Sequence, residues 1–138
     1  MSTEQITTIA VKDFRKLTVY QKAMDLADKV YELIRQFPDS ERYSMVSQIT
    51  RATTSISANI AEGNGQLFTK KTFSFFNNAL GSANEVICWL EHARRRGYIS
   101  VEQEEELEKD TQEVIKMILG YMRRLKVEME QGTRSKVG

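Results

Sequence analysis

The single histidine, His92, follows the single cysteine, Cys88, by four residues, a spacing that puts both on one face of a helix with Glu85 and Glu91 nearby. A thiol beside an imidazole could act as a nucleophile with its base, or the set could hold part of a metal site. Both readings lack the rest of their machinery. Any triad has His92 as its one candidate base. A di-iron carboxylate bundle needs a Glu-x-x-His motif on each of two helices, and this chain has none. The GxxxxGK[ST] phosphate loop is also missing, because Gly63-Asn-Gly65 has neither the spacing nor the lysine. The expectation is a protein that is not an enzyme, with no catalytic residues, metal or cofactor, in which Cys88 is half-buried and His92 lies at the rim.

The remaining candidates are charged. Arg94, Arg95 and Arg96 stand together near the predicted end of a helix, and Lys70 and Lys71 near its start. Arg123 and Arg124 come late in the last predicted helix, followed by Lys126 and then by Arg134 and Lys136. The acidic run Glu102, Glu104, Glu105, Glu106, Glu108 and Asp110 opens that helix. Acids at a helix start and bases at its end complement the dipole, at about 0.3–1 kcal/mol per well-placed charge. Three adjacent arginines exceed what a dipole needs, so Arg94, Arg95, Arg96, Lys70, Lys71, Arg123 and Arg124 are the candidates for contact with nucleic-acid phosphates.

The whole chain gives these patches little help. Its 138 residues are one domain's worth, and 20 Lys+Arg against 19 Asp+Glu leave a formal charge of +1, so no global field draws it to a polyanion. With 41% hydrophobic and 28% charged residues, one proline and seven glycines, the composition is that of a helical globular protein. A lone cysteine fits a reducing compartment. The N-terminal stretch lacks the basic and apolar regions of a secretory signal, and no run reaches ~18 apolar residues. A cytoplasmic location is expected.

Four helices are predicted to position the charges. Thr18 and Gln21 have capping-box spacing for a first helix over 18–36, stopped by Pro38. On the helical wheel Leu17, Tyr20, Met24, Ala27, Tyr31 and Ile34 form one apolar stripe, and Val19, Ala23, Leu26, Val30, Leu33 and Phe37 a second beside it. The two span about 200°, against ~100° for an ordinary surface helix, so this helix needs partners on two sides. Lys22, Asp25, Lys29 and Glu32 are expected to pair with one another along the remaining face. A second helix over 44–62 carries Met45, Ile49, Ala52, Ile56 and Ile60, with Gly63 as a left-handed stop. Its Ser and Thr residues are poor helix formers, so packing must hold it.

A third helix is expected over 69–96, capped by Thr69 and ended by Gly97, with Phe73, Phe76, Leu80, Ala83, Ile87 and Leu90 inward. Phe75, Ala79, Val86, Trp89 and Ala93 supply apolar surface around that stripe. Gly81 inside it costs about 0.5–1 kcal/mol relative to Ala, which a tight helix crossing would offset. Ser100 and Gln103 form a capping box for a fourth helix to about residue 130, with Leu107, Thr111, Val114, Ile118, Tyr121 and Leu125 inward. The fold expected is all-α, an antiparallel up-down-up-down four-helix bundle. Residues 1–13 form an N-terminal segment expected to be flexible, 14–131 the domain and 132–138 a frayed tail.

Helix two reads Gln48-Ile-Thr-Arg-Ala-Thr-Thr-Ser-Ile-Ser-Ala-Asn-Ile-Ala-Glu-Gly63, helix three contains Gly81-Ser-Ala-Asn-Glu85, and the first helix is approached through Phe14-Arg-Lys-Leu-Thr-Val-Tyr-Gln-Lys-Ala23. Over residues 14–125 this combination closely resembles the bacterial four-helix-bundle family named for open reading frames within intervening sequences of 23S ribosomal RNA genes. The resemblance implies a bundle with no known catalysis, assembled as a ring of subunits, typically a homopentamer. It also implies distant kinship with the accessory protein of diversity-generating retroelements, which binds a reverse transcriptase and RNA. A ring would use the rest of helix one's apolar arc.

Gln48, Arg51, Ser55, Asn59 and Glu62 fall on one polar stripe beside the core stripe of helix two. They are expected to form a structural network across a helix or subunit boundary, with Arg51 offering a planar five-donor fork. Glu62 can also reach Lys70 or Lys71, while Gly81, Ser82 and Glu85 are expected to set how closely helix three approaches its neighbour. The expected function is that of a homo-oligomeric module bound to structured RNA through its basic residues. The alternative is a scaffold that docks a protein such as a reverse transcriptase.

Overall fold

The computed structural model describes residues 13–137, with side chains through residue 132; most of the N-terminal segment expected to be flexible lies outside the described residues. The described chain is all-helical. Four α-helices follow in order: α1 (Thr18–Leu33), α2 (Met45–Asn64), α3 (Thr69–Arg95) and α4 (Val101–Val137), with short 3-10 turns before α1, after it and ahead of α2. The principal contacts close a cycle, α1 on α2, α2 on α3, α3 on α4 and α4 on α1. The backbone stays helical through Val137, so α4 passes Gly132 where fraying was expected.

The core follows the apolar periodicity. From α1 it takes Val19, Ala23, Leu26, Val30 and Leu33, and from α2 Met45, Ile49, Ala52, Ile56 and Ile60. Full burial of side chains of this kind is worth about 1.5–3 kcal/mol each. The second of the two α1 stripes is therefore the core stripe. On the first stripe Met24 and Tyr31 remain 40% and 49% exposed, so part of the wide arc has no cover within this chain. In α3 the stripe turns relative to expectation. Ala79, Val86 and Ala93 are fully buried, whereas Phe73, Leu80 and Ile87 pack only partly. Small side chains at 79, 83 and 93 let α3 sit deep between its neighbours.

Three predicted helix signals work through different residues. Thr18 is already the first residue of α1, behind a 3-10 turn capped by Asp13, so Leu17 is the N-cap and the Gln21 amide donates to the Arg15 carbonyl instead of to a cap. Phe68, not Thr69, caps α3, without a side-chain bond. Gly63 is not a left-handed stop: it is a buried helical residue, and α2 continues to Asn64 before Gly65. Gly97 alone among the described residues has positive φ, at 76°. Its N–H donates to the Arg94 carbonyl at 2.9 Å, and the Tyr98 N–H to that of Ala93 at 3.0 Å, the paired bonds of a Schellman close. The Ser100–Gln103 box forms as expected, with both reciprocal bonds present at 2.9 and 3.1 Å.

The glycine that sets a close approach is Gly63, not Gly81. A Cβ at Gly63 would lie 3.0 Å from the Phe75 Cβ and 3.0 Å from Phe76 Cδ1, whereas at Gly81 it would meet nothing within 4 Å. We expect Gly63→Ala to destabilise the fold by about 1–3 kcal/mol through overpacking. Gly81→Ala, on an exposed helix surface, should stabilise it by about 0.5–1 kcal/mol. Thermal melts of the two variants should move in opposite directions, and a shared direction would refute this account of the α2–α3 crossing.

Candidate functional site: a polar seam and two basic ends

The polar stripe of α2 is only partly one network. The Ser82 hydroxyl of α3 donates to Ser55 Oγ at 2.9 Å, and the Asn59 amide donates to the Ser55 carbonyl at 2.8 Å and to its Oγ at 3.0 Å. Ser55, Asn59 and Ser82 thus form a half-buried seam between α2 and α3. Arg51 stands outside it. It is exposed and donates to Gln48 Oε1 at 3.0 Å on its own helix. Glu62 is exposed and makes no ion pair with Lys70 or Lys71; its carbonyl accepts from the Gln66 amide. Glu85 accepts from the Trp89 indole at 3.1 Å, so it takes no part in the α2–α3 approach, and neither does exposed Gly81.

The basic residues separate into two ends with opposite character. At the far end of α3 each arginine already has a partner. Arg94 Nε lies 2.7 Å from Glu104 Oε1, both half-sheltered, and Arg95 Nη2 lies 3.1 Å from Glu91 Oε2. The Arg96 guanidinium reaches the His92 ring nitrogen at 3.0 Å and the His92 carbonyl at 3.1 Å. At the near end Lys70 and Lys71 are exposed, and neither has a carboxylate of the described residues within ion-pair distance. Arg123 is exposed, and the Arg124 guanidinium lies 4.9 Å from the Tyr121 ring centroid. The acid beside Arg94 comes from across the turn into α4, which spacing alone does not show, whereas Glu91 stands four residues before Arg95 on the same helix and was legible in the sequence.

Cys88 is exposed rather than half-buried. His92 is half-buried at the rim, with the Trp89 ring tilted beside it at 5.3 Å. Among the described residues no group of three or more His, Cys, Asp or Glu could hold a metal ion, and no helix is long and apolar enough to cross a membrane. Two polar clusters were not foreseen. Lys22 and Lys29 of α1 pair with α4, to Glu113 at 3.8 Å and to Asp110 and Glu106 at 2.6 and 3.5 Å, instead of with Asp25 and Glu32. The bond to Asp110 raises the Lys29 pKa. Glu41, ahead of α2, accepts hydrogen bonds from the hydroxyls of Ser44 and Tyr98. Nothing in the sequence signals a pair 57 positions apart.

Residues 15–120 match the family described as 23S rRNA-intervening sequence protein. The chain belongs to this family. A crystal structure of a protein of unknown function from the S23 ribosomal protein family of Bacteroides thetaiotaomicron VPI-5482 is similar, with a TM-score of 0.71 and 31% identity. The similarity covers 76% of this chain and 98% of that one. No curated protein matches. The two stretches that carry the resemblance in the sequence, Asn59 to Gly63 and Gly81 to Glu85, contain the seam residues Asn59 and Ser82 and the close-packed Gly63.

Two measurements check these assignments. Ser55→Ala leaves Asn59 and Ser82 without their shared oxygen and should cost about 1 kcal/mol, whereas Arg51→Ala should change the subunit's stability by under about 0.5 kcal/mol. Chemical denaturation that ranks them the other way would refute the seam. The Ser44 and Tyr98 hydroxyls hold the Glu41 pKa below its ordinary 4.5. The folded state therefore binds this proton less readily than the unfolded state, so the stabilisation is present above that value and is lost as pH falls below it. Glu41→Gln should flatten the fall in melting temperature between about pH 5 and pH 3.

Proposed function

We propose that this family member is a non-enzymatic, homo-oligomeric four-helix bundle, a ring and in its family reading a pentamer, that associates with structured RNA. The observation that carries the RNA reading is that Lys70 and Lys71 are exposed with no ion pair among the described residues, at the end of α3 near which Arg124 lies with Thr69 and Glu128, while Arg94, Arg95 and Arg96 at the other end already have partners. The family's description, tied to intervening sequences of 23S rRNA, agrees with that chemistry. Arg94, Arg95 and Arg96 would contact phosphate only by exchanging existing partners, so Lys70, Lys71, Arg123 and Arg124 carry more of the reading.

An up-down-up-down course is supported by pairs that descend along one helix as they ascend along the next. Lys22 meets Glu113 and Lys29 meets Asp110; Ser55 meets Ser82, and Gly63 lies against Phe75 and Phe76; the Phe76 ring meets that of Tyr121 at a tilt, and Arg94 meets Glu104. The exposed Met24 and Tyr31 on α1 support self-association, and repetition of a weak site around a ring would raise its avidity. A second reading, a scaffold for a protein partner such as a reverse transcriptase, draws on the apolar pair Leu67 and Phe68, exposed between α2 and α3.

The test is a titration against a labelled structured RNA and a DNA duplex of equal length at about 50 and 200 mM salt, with native mass spectrometry of the free protein. RNA binding should weaken steeply with salt, and replacing both Lys70 and Lys71 by Ala should lower the salt slope by about 2. Absence of binding at either salt overturns the RNA reading, and a single-subunit native mass overturns the ring.

A further inference from the structure

A hollow of about 600 Å³ lies on the outer side of the first turns of α3, lined by Phe68, Lys70, Lys71, Ser74, Phe75 and Asn78. Phe68 at its edge is 71% exposed, second to Tyr43 among the large apolar side chains of the described residues. Phe75 is half-buried along the same wall. Ser74 and Asn78 stand one helical turn apart, and neither side chain has a hydrogen bond within the described protein. The hollow therefore joins an aromatic face, two unengaged hydrogen-bonding groups and two uncompensated cations. An acidic peptide could use the cations and bond Ser74 and Asn78 through its backbone, but a nucleotide carries an anionic phosphate and a flat ring that covers an exposed aromatic face in a single unit.

We propose that this hollow receives an unpaired nucleobase of an RNA strand, stacked on the wall that Phe68 forms with Phe75, with its edge toward Ser74 and its flanking phosphates on Lys70 and Lys71. The proposal rests on the RNA reading above and narrows it to single-stranded segments, loops or bulges. The bases of a duplex are stacked on each other and their rings are closed to such a wall, whereas an unpaired base presents a face that an aromatic side chain can cover. Stacking of this kind is tolerant of base identity, so the site selects strandedness more than sequence. The hollow is a feature of the loop into α3 and needs no contribution from the arginines at the other end.

The experiment compares a single-stranded RNA of about ten nucleotides carrying a central 5-iodouridine with a fully paired RNA of the same length. The proteins compared are the wild type, Phe68→Ala, Phe68→Leu, and a variant with both Lys70 and Lys71 changed to Ala. Phe68→Ala and Phe68→Leu should each weaken single-strand binding by about 5- to 100-fold, leave duplex binding unchanged and keep the wild-type melting temperature. Irradiation should cross-link the iodouridine to Phe68 or Phe75. If the lysine variant weakens both RNAs while the Phe68 variants change neither, the base-stacking proposal is overturned and the RNA reading stands. If neither RNA binds and an acidic peptide occupies the hollow, both are overturned in favour of a protein partner.

Discussion

The close approach of α2 and α3 at Gly63 is the constraint on which the rest of the subunit depends. With only hydrogen at that Cα, the aromatic pair Phe75 and Phe76 can lie directly against the α2 backbone, and these two helices make the most extensive contact of the bundle. Phe76 is then fully buried, and its ring meets Tyr121 of α4 at 5.1 Å. One absent methyl thus couples three helices. Ala79 and Ala83 extend the approach along α3, and the Ser55–Ser82 bond fixes its register partway along.

Such close packing suits a helix with little intrinsic propensity. Three of the residues of α2 that weaken an isolated helix have their hydroxyls turned onto their own backbone: Thr53 donates to the Ile49 carbonyl at 2.7 Å, Thr54 to that of Thr50 at 3.0 Å and Ser57 to that of Thr54 at 3.1 Å. Thr111 does the same in α4. Among the described residues no buried side-chain nitrogen or oxygen lacks a partner. The small hydroxylated side chains thus permit close helix contact without the desolvation cost of an orphaned donor. Charge is handled at the edges, where Lys22 and Lys29 of α1 bridge to the acids of α4 and Arg94 bridges the turn into α4. Among the described residues Lys70 and Lys71, beside the loop into α3, have no such carboxylate, and neither do Lys16, Arg42, Lys109 and Lys116 elsewhere on the surface.

Much of the fold was legible because it follows from periodicity and backbone chemistry. Burial of Ile49, Ile56 and Ile60 follows from spacing alone, and the close at Gly97 and the box at Ser100 follow from residue type at a helix end. Roles that depend on a neighbouring helix were not legible. Gly63 and Gly81 look alike as glycines near or within helices, yet one lies against two phenylalanines and the other faces open space. Likewise Arg51, in a motif dense with polar residues, bonds only to its own helix, while Ser82 reaches across to Ser55.

By itself the sequence determined the number of helices, most of their inward residues and the family likeness, because apolar spacing and terminal signals are local. Tertiary structure decided which glycine is a packing point, which lysines of α1 bridge to α4, and which basic residues are already neutralised. Those outcomes depend on the rotation and axial register of one helix against another. Composition counted Arg94 and Lys70 as equivalent cations; register places Glu104 beside Arg94 and, among the described residues, no carboxylate beside Lys70.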